Sequence, residues 1–270
     1  MLTTESEDDR GRHWCAAATL AIVAVSTVVL AWLSCNWWNP ALRDPPFTLA
    51  GKSIYFVFVD RFAHDADDHP PDCYGPASWC GGNLRGLIRR LDYIADMGFD
   101  CVWITPVVDQ PADVHCSPVE GQEEDYCGVG YHGYWAQDLY AIDRRFGSPS
   151  DLLALSFSLK SRGMGLVLDV VLNHVRPLNT MRDLMRVQPF DRPEFYHTYG
   201  APPNESFASY LRHPTGCWPP PGCSLAAYDC GDYDEQKILN GWFYDLGDLN
   251  QTHPFVSQEL QRWGAHMVRT

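Results

Sequence analysis

The alternation of apolar runs with helix-spaced segments between Ser53 and Leu172 constrains this 270-residue chain most. Ser53 to Asp60 reads Ser-Ile-Tyr-Phe-Val-Phe-Val-Asp, β-branched or aromatic at successive positions, which predicts a strand buried on both faces. Leu84, Leu87, Ile88, Leu91, Ile94 and Ala95 then recur at helical spacing between Asn83, an N-cap type, and Gly98, a terminator. One amphipathic helix is the reading. A second strand follows from Cys101 to Thr105. Ser148-Pro149-Ser150-Asp151 opens another helix with a cap, a first-position proline and a third-position carboxylate, and Leu152, Leu155 and Leu159 carry its apolar face to Gly163. Leu166 to Leu172 is the third strand.

Strand, helix, strand, helix, strand with buried strands means parallel βα units, closed as a barrel or spread as a doubly wound sheet. Asp60, Thr105, Asp169, Asn173 and His174 stand at or near the C-terminal strand ends, where a barrel builds its site, and no glycine-rich phosphate loop follows the first strand. The prediction is an α/β fold: the N-terminal part of a (β/α)8 TIM barrel over 52–174. An irregular subdomain is inserted after strand 3 over 175–247, where periodicity gives way to Pro, aromatic residues and Cys. Residues 248–270 form a return segment and the third barrel helix, with Val256, Leu260, Trp263 and Met267 on one face after Pro254.

Ahead of the barrel, Trp14 to Leu33 is uncharged, and as a helix rising about 1.5 Å per residue it would cross a hydrocarbon core of about 30 Å. The reading is a cytosolic N-terminus at 1–13, a transmembrane signal anchor at 14–35 and a linker at 36–51. Arg10 and Arg12 before the span and Trp32, Trp37 and Trp38 after it orient the main domain to the extracellular or lumenal side. A cleaved signal peptide and a secreted product are the alternative, Ala31 and Ser34 being small residues that suit a cut. Either route reaches an oxidising compartment. There Cys73 and Cys80 flank a short loop, Cys116 and Cys127 flank an acidic insertion, and Cys217, Cys223 and Cys230 leave one thiol over, Cys217 and Cys230 being candidates to pair. Cys101, inside an apolar strand, reads as a buried free thiol. The sequons at Asn204 and Asn250 are glycosylation candidates. A net charge of −14 with no basic stripe excludes nucleic acid as a main partner.

Asp169-Val-Val-Leu-Asn-His174 ends the third strand, Trp103-Ile-Thr-Pro106 ends the second, and Tyr131-His-Gly-Tyr-Trp135 leads into Gln137-Asp-Leu-Tyr140. Ser53-Ile-Tyr-Phe with Asp60-Arg-Phe62 and Cys80-Gly-Gly82 precede them, and Leu246-Gly-Asp-Leu-Asn250 follows. In this order the segments resemble the α-amylase family of glycoside hydrolases, in particular its fungal-type secreted members.

That resemblance implies calcium held by Asn173 and Asp248, whose hard oxygens suit it; by themselves these residues read as a cap and a turn. It implies a reacting sugar lined by His132, Tyr134 and His174, with Trp135 extending the stacking surface, and it gives Asp169 the task of holding neighbouring loops. The implied substrate is an α-1,4-linked glucan such as starch, glycogen or maltooligosaccharides. Retaining hydrolysis needs two carboxyl groups about 5 to 5.5 Å apart. The family carries its nucleophilic Asp on the fourth strand, its acid/base Glu on the fifth and a further Asp after the seventh, all expected beyond Thr270. No catalytic residue is therefore assigned, and no turnover is expected from this chain alone. Asp109 and Glu123, in loop insertions, read as solvated surface. The alternatives are a non-catalytic type II membrane glycoprotein with an amylase-like ectodomain, comparable to transporter heavy chains, and a maltase-like or transglycosylating relative.

Overall fold

In the computed structural model, residues 48–65, 73, 75–117, 126–212 and 235–269 are described. The predicted anchor at 14–35, Glu123, and Cys217, Cys223 and Cys230 lie outside them. Among the described residues no helix is long and apolar enough to cross a membrane.

In chain order the elements are β1 (Ile54–Val57), α1 (Val59–Phe62), α2 (Leu84–Arg89), α3 (Leu91–Asp96), β2 (Cys101–Ile104), β3 (Val108–Asp109), β4 (His115–Ser117), β5 (Tyr126–Gly128) and β6 (Asp138–Ile142). There follow α4 (Pro149–Lys160), β7 (Gly165–Leu168), β8 (His174–Pro177), α5 (Met181–Leu184), α6 (Phe207–Tyr210), α7 (Glu235–Asn240), β9 (Leu246–Asp248) and α8 (Pro254–Arg269). β1, β2 and β7 form a parallel sheet in that order, Ile54 opposite Cys101 and Cys101 opposite Gly165. Short antiparallel pairs join β3 to β6, β4 to β5 and β8 to β9. Three adjacent parallel strands with helical crossovers are the unit from which an α/β barrel is built.

The predicted strand from Ser53 to Asp60 is shorter, because the chain turns into α1 after Phe58. That turn buries Asp60, whose carboxylate accepts the Cys80 N–H at 2.8 Å and the Gly81 N–H at 3.0 Å and so holds the disulfide loop. Burial on both faces is also corrected. Val57, Val102 and Ile104 are at most 2% exposed, whereas Phe56 is 41% and Trp103 is 38% exposed. Helices cover one face, and the aromatic residues of the other pack edge-on, Phe56 against Trp103 at 4.9 Å. The single helix predicted over 83–98 is two helices, since Arg90 leaves helical geometry at φ −106°, ψ 7°. Its start and end match the prediction: Asn83 caps Gly86 N–H, and Gly98 takes φ +84°.

Helix α4 begins with the capping box read from the sequence, Ser148 and Asp151 bonding each other's backbone. The third strand stops at Leu168 rather than Leu172. Asp169 N–H donates the last rung to Ile104 O, and the chain leaves the sheet to pair β8 with β9.

Two apolar cores result. One, mainly aliphatic, holds Leu84, Leu87, Leu91 and Ile94 against Val102, Ile104, Leu155 and Leu159. The other is rich in aromatic residues and combines Phe190, Phe195, Tyr196, Tyr210 and Trp242 with Val256, Leu260 and Trp263 of α8. Met267 packs against both.

Candidate functional site

The loop from Gly130 to Trp135 follows from one backbone requirement. A 3-10 turn at Gly130–His132 ends on Gly133 at φ +85°, and a Cβ there would stand 2.0 Å from Pro106 O, so only glycine fits. The turn places His132 and Tyr134 ring over ring, with centroids 5.6 Å apart and planes 24° from parallel. Trp135 meets the His132 ring edge-on at 4.9 Å. Tyr134 N–H donates to His132 Nδ1 at 3.0 Å, which leaves the proton of the neutral imidazole on Nε2. Tyr134 Oη donates to Asp169 Oδ2 at 2.8 Å, tying the loop to the end of the third strand.

Both histidines are held neutral. Burial lowers the His132 pKa to about 4, helped by the nearby His174 and the positive charge of Arg61. Burial likewise holds His174 at about 4, opposed by the Tyr134 backbone. His174 Nε2 is buried and makes no hydrogen bond among the described residues. The Tyr134 phenol is pushed up by burial and then by Asp169. The fold brings together the four residues nominated from the sequence: His132 packs with Tyr134 and Trp135 and lies near His174, and Tyr134 alone of them bonds Asp169.

Three supporting residues were missed. Gln110, 1% exposed, accepts Trp135 N–H at 2.7 Å and donates to Val108 O at 2.9 Å, fixing the loop from beneath. Arg61 lies over the Tyr131 ring at 3.8 Å; its place in the Asp-Arg-Phe segment was the available signal. His197 had no signal, because its partner lies 51 residues away.

That partner is Asp248. Asn173 Nδ2 donates to Asp248 Oδ1 at 3.1 Å, and Asp248 Oδ2 lies 2.7 Å from His197 Nδ1. The two predicted calcium ligands are therefore side by side, His174 pairing opposite Asp248 in the β8–β9 ladder. Asp248 is 3% exposed, and burial raises its pKa against the pull of His197 and Asn173. A carboxylate and an amide side by side carry the oxygen donors a divalent cation takes, although here the Asn173 amide nitrogen and the His197 ring face the Asp248 oxygens. Among the described residues, no group of three or more His, Cys, Asp or Glu could hold a metal, so further donors would be carbonyls, amides or water.

The remaining sites lie elsewhere. Cys73 bonds Cys80 and Cys116 bonds Cys127, while Cys101 is free and buried. Asn204 sits exposed at φ +69°, and half-buried Asn250 uses its Oδ1 to accept from Thr252. Asp109 is not solvated surface: it is half-buried, accepts Gln137 Nε2 at 3.0 Å and has its pKa raised by burial. A cavity of about 380 Å³ beside Asp191, Phe195, His253 and Phe255 contains none of the gathered residues.

Residues 56–270 match the family model for the alpha amylase catalytic domain. The chain belongs to the α-amylase family. It is 31% identical over 226 residues to alpha-amylase 1 of Lipomyces kononenkoae, covering 81% of this chain and 30% of that protein. Alpha-amylase 2 of Schwanniomyces occidentalis is 34% identical over 199 residues, covering 72% of this chain and 37% of the relative. Among solved structures, an alpha-amylase from Malbranchea cinnamomea superimposes with a TM-score of 0.59 at 35% identity, covering 81% of this chain and 40% of its own. The chain thus spans between 30% and 40% of the length of these α-amylases.

Proposed function

We propose that residues 50–270 form the sugar-lining and calcium-binding side of an α-glucan site in a retaining glycoside hydrolase of carbohydrate metabolism. The observation that carries this reading is the cluster of two neutral histidines, His132 stacked on Tyr134 and His174 close to it, beside the Trp135 indole. A sugar hydroxyl, which donates and accepts, suits a neutral imidazole. The Tyr134 and Trp135 rings offer apolar faces to the C–H surface of a pyranose.

The roles follow from the contacts. His132 and His174 orient hydroxyls without adding charge. Tyr134, anchored through Asp169, stacks and keeps the loop seated. Asn173 and Asp248 would hold calcium, which on binding supplies positive charge that pins the third-strand end to the return segment. Cleavage requires two carboxyl groups about 5 to 5.5 Å apart. In this reading they belong to the fourth and fifth strands of the family's barrel, and the described residues bind α-glucan and orient it.

The disulfides Cys73–Cys80 and Cys116–Cys127 fit an extracytoplasmic domain, delivered by residues 14–35 as anchor or signal and open to glycosylation at Asn204 and Asn250. The test is equilibrium dialysis of maltoheptaose against the 270-residue chain with calcium, alongside a reducing-sugar assay. Binding that Tyr134→Ala abolishes, without sugar release, is expected. Binding unaffected by that substitution overturns the site, and sugar release overturns the assignment of the carboxylates.

A further inference from the structure

The hairpin of β4 and β5 interrupts the path from the second strand to the sugar-lining loop. Cys116 and Cys127 stand opposite each other in its ladder and are bonded, so the ends of the acidic insertion are closed covalently. Nothing in the site described so far uses this hairpin. His115, next to the disulfide, reaches toward that site through contacts with Asp245 and Trp135. Its Nε2 lies 2.5 Å from Asp245 Oδ2, across 130 residues of sequence, with only 15% and 19% of the two side chains exposed. Its ring meets the Trp135 indole edge-on at 5.7 Å, and Trp135 in turn meets His132 at 4.9 Å.

Asp245 directly precedes β9, the strand that carries Asp248 opposite His174. Its carbonyl accepts Leu178 N–H at 2.8 Å, which fixes it to the end of β8. One imidazole therefore joins the loop bearing His132, Tyr134 and Trp135 to the residue leading into β9, whose Asp248 pairs opposite His174. A half-buried imidazole–carboxylate pair of this length is a directional bond rather than a loose surface contact.

We propose that His115 is a positioning residue for α-glucan binding: held by Asp245 and carried on the disulfide-closed hairpin, it braces the Trp135 indole as a stacking platform. The inference rests on the sugar-binding reading above. It gives the hairpin a task as a wall of the substrate cleft, acting through Trp135 rather than by touching sugar.

The test is calorimetric titration of maltoheptaose into the full 270-residue chain and into His115→Ala, Asp245→Ala, His115→Gln, Trp135→Ala and the His115→Ala/Trp135→Ala double variant. Near-ultraviolet circular dichroism of each variant reports whether it is folded. His115→Ala and Asp245→Ala are expected to weaken binding about ten-fold, the worth of one lost hydrogen bond to a charged group. His115→Gln, which keeps a donor at similar reach, restores most of the loss. The double variant binds no more weakly than Trp135→Ala, because His115 acts through that ring. Wild-type binding that folded His115→Ala and Asp245→Ala retain in full overturns this inference and leaves the sugar site standing. Additive losses in the double variant also overturn it. Absence of binding by the wild type overturns the sugar site and this inference together. If His115→Ala does not fold, Asp245→Ala decides the question in the same way.

Discussion

The two cores of the molecule are built by different means. Around the parallel sheet, aliphatic residues repeat at strand and helix periods, and contacts run between neighbouring elements, as with Leu84, Leu87 and Leu91 against Ile104 and Leu155. Around α8 the core is aromatic and aperiodic, Trp242 packing with Tyr196, Phe207 and Tyr210 through tilted and edge-on rings. The first is a repeated pattern that any local window reveals. The second is assembled from residues far apart in the chain, and Asn173, His174 and Asp248 stand where its β8 and β9 strands meet.

This contrast can be broken or sharpened by substitution. The largest effect is expected in the aromatic core: Trp242→Ala, at a fully buried site whose indole N–H donates to His197 O at 2.8 Å, should cost about 3 to 5 kcal/mol. Denaturant unfolding measures the loss, and hydrogen exchange should show β1, β2 and β7 still protected. Simultaneous loss of protection in the parallel sheet would mean that the cores are one cooperative unit.

Next comes Gly133→Ala, which forces a left-handed residue and a Cβ 2.0 Å from Pro106 O. A loss of about 3 kcal/mol is expected, together with loss of maltoheptaose binding. A neutral result would show that the 130–135 loop is free to re-form. By comparison Gly247→Ala, in the aromatic region, meets side chains rather than backbone, Leu178 at 2.5 Å and the Tyr196 ring at 2.8 Å, and should cost less.

Third is pH. The folded His132 pKa lies near 4 against 6.5 for the ordinary side chain. Between these values the unfolded chain binds a proton that the folded chain refuses, so this contribution is complete above pH 6.5 and is lost as pH falls toward 4. The loss should approach about 3 kcal/mol. His132→Gln should flatten the fall relative to wild type, and parallel curves would show that His132 is not held neutral by the fold. The smallest effect is at the aliphatic region's edge, where Asn83→Ala removes the cap on Gly86 N–H. It should cost about 1 kcal/mol in thermal unfolding.

The same contrast explains what was legible in the sequence. The capping box at Ser148 and Asp151, the cap at Asn83 and the terminator at Gly98 are local devices and could be read directly. The exposure of Phe56 and Trp103 was not, because a run apolar on both faces states what could be covered and not what covers it. The site residues His132, Tyr134, Trp135 and His174 were visible because they lie in dense motifs. Gln110 and His115 lay in an unremarkable loop, and Asp245 and His197 bond across 130 and 51 residues, separations that no periodicity encodes.

The most direct measurement is hydrogen exchange of the 270-residue chain with and without maltoheptaose in the presence of calcium. Slowed exchange at 130–135 and at 173–174 is the predicted result. Protection confined to 189–195 and 253–255, the walls of the separate cavity, or protection nowhere in the chain, would contradict the assignment of the sugar-lining site.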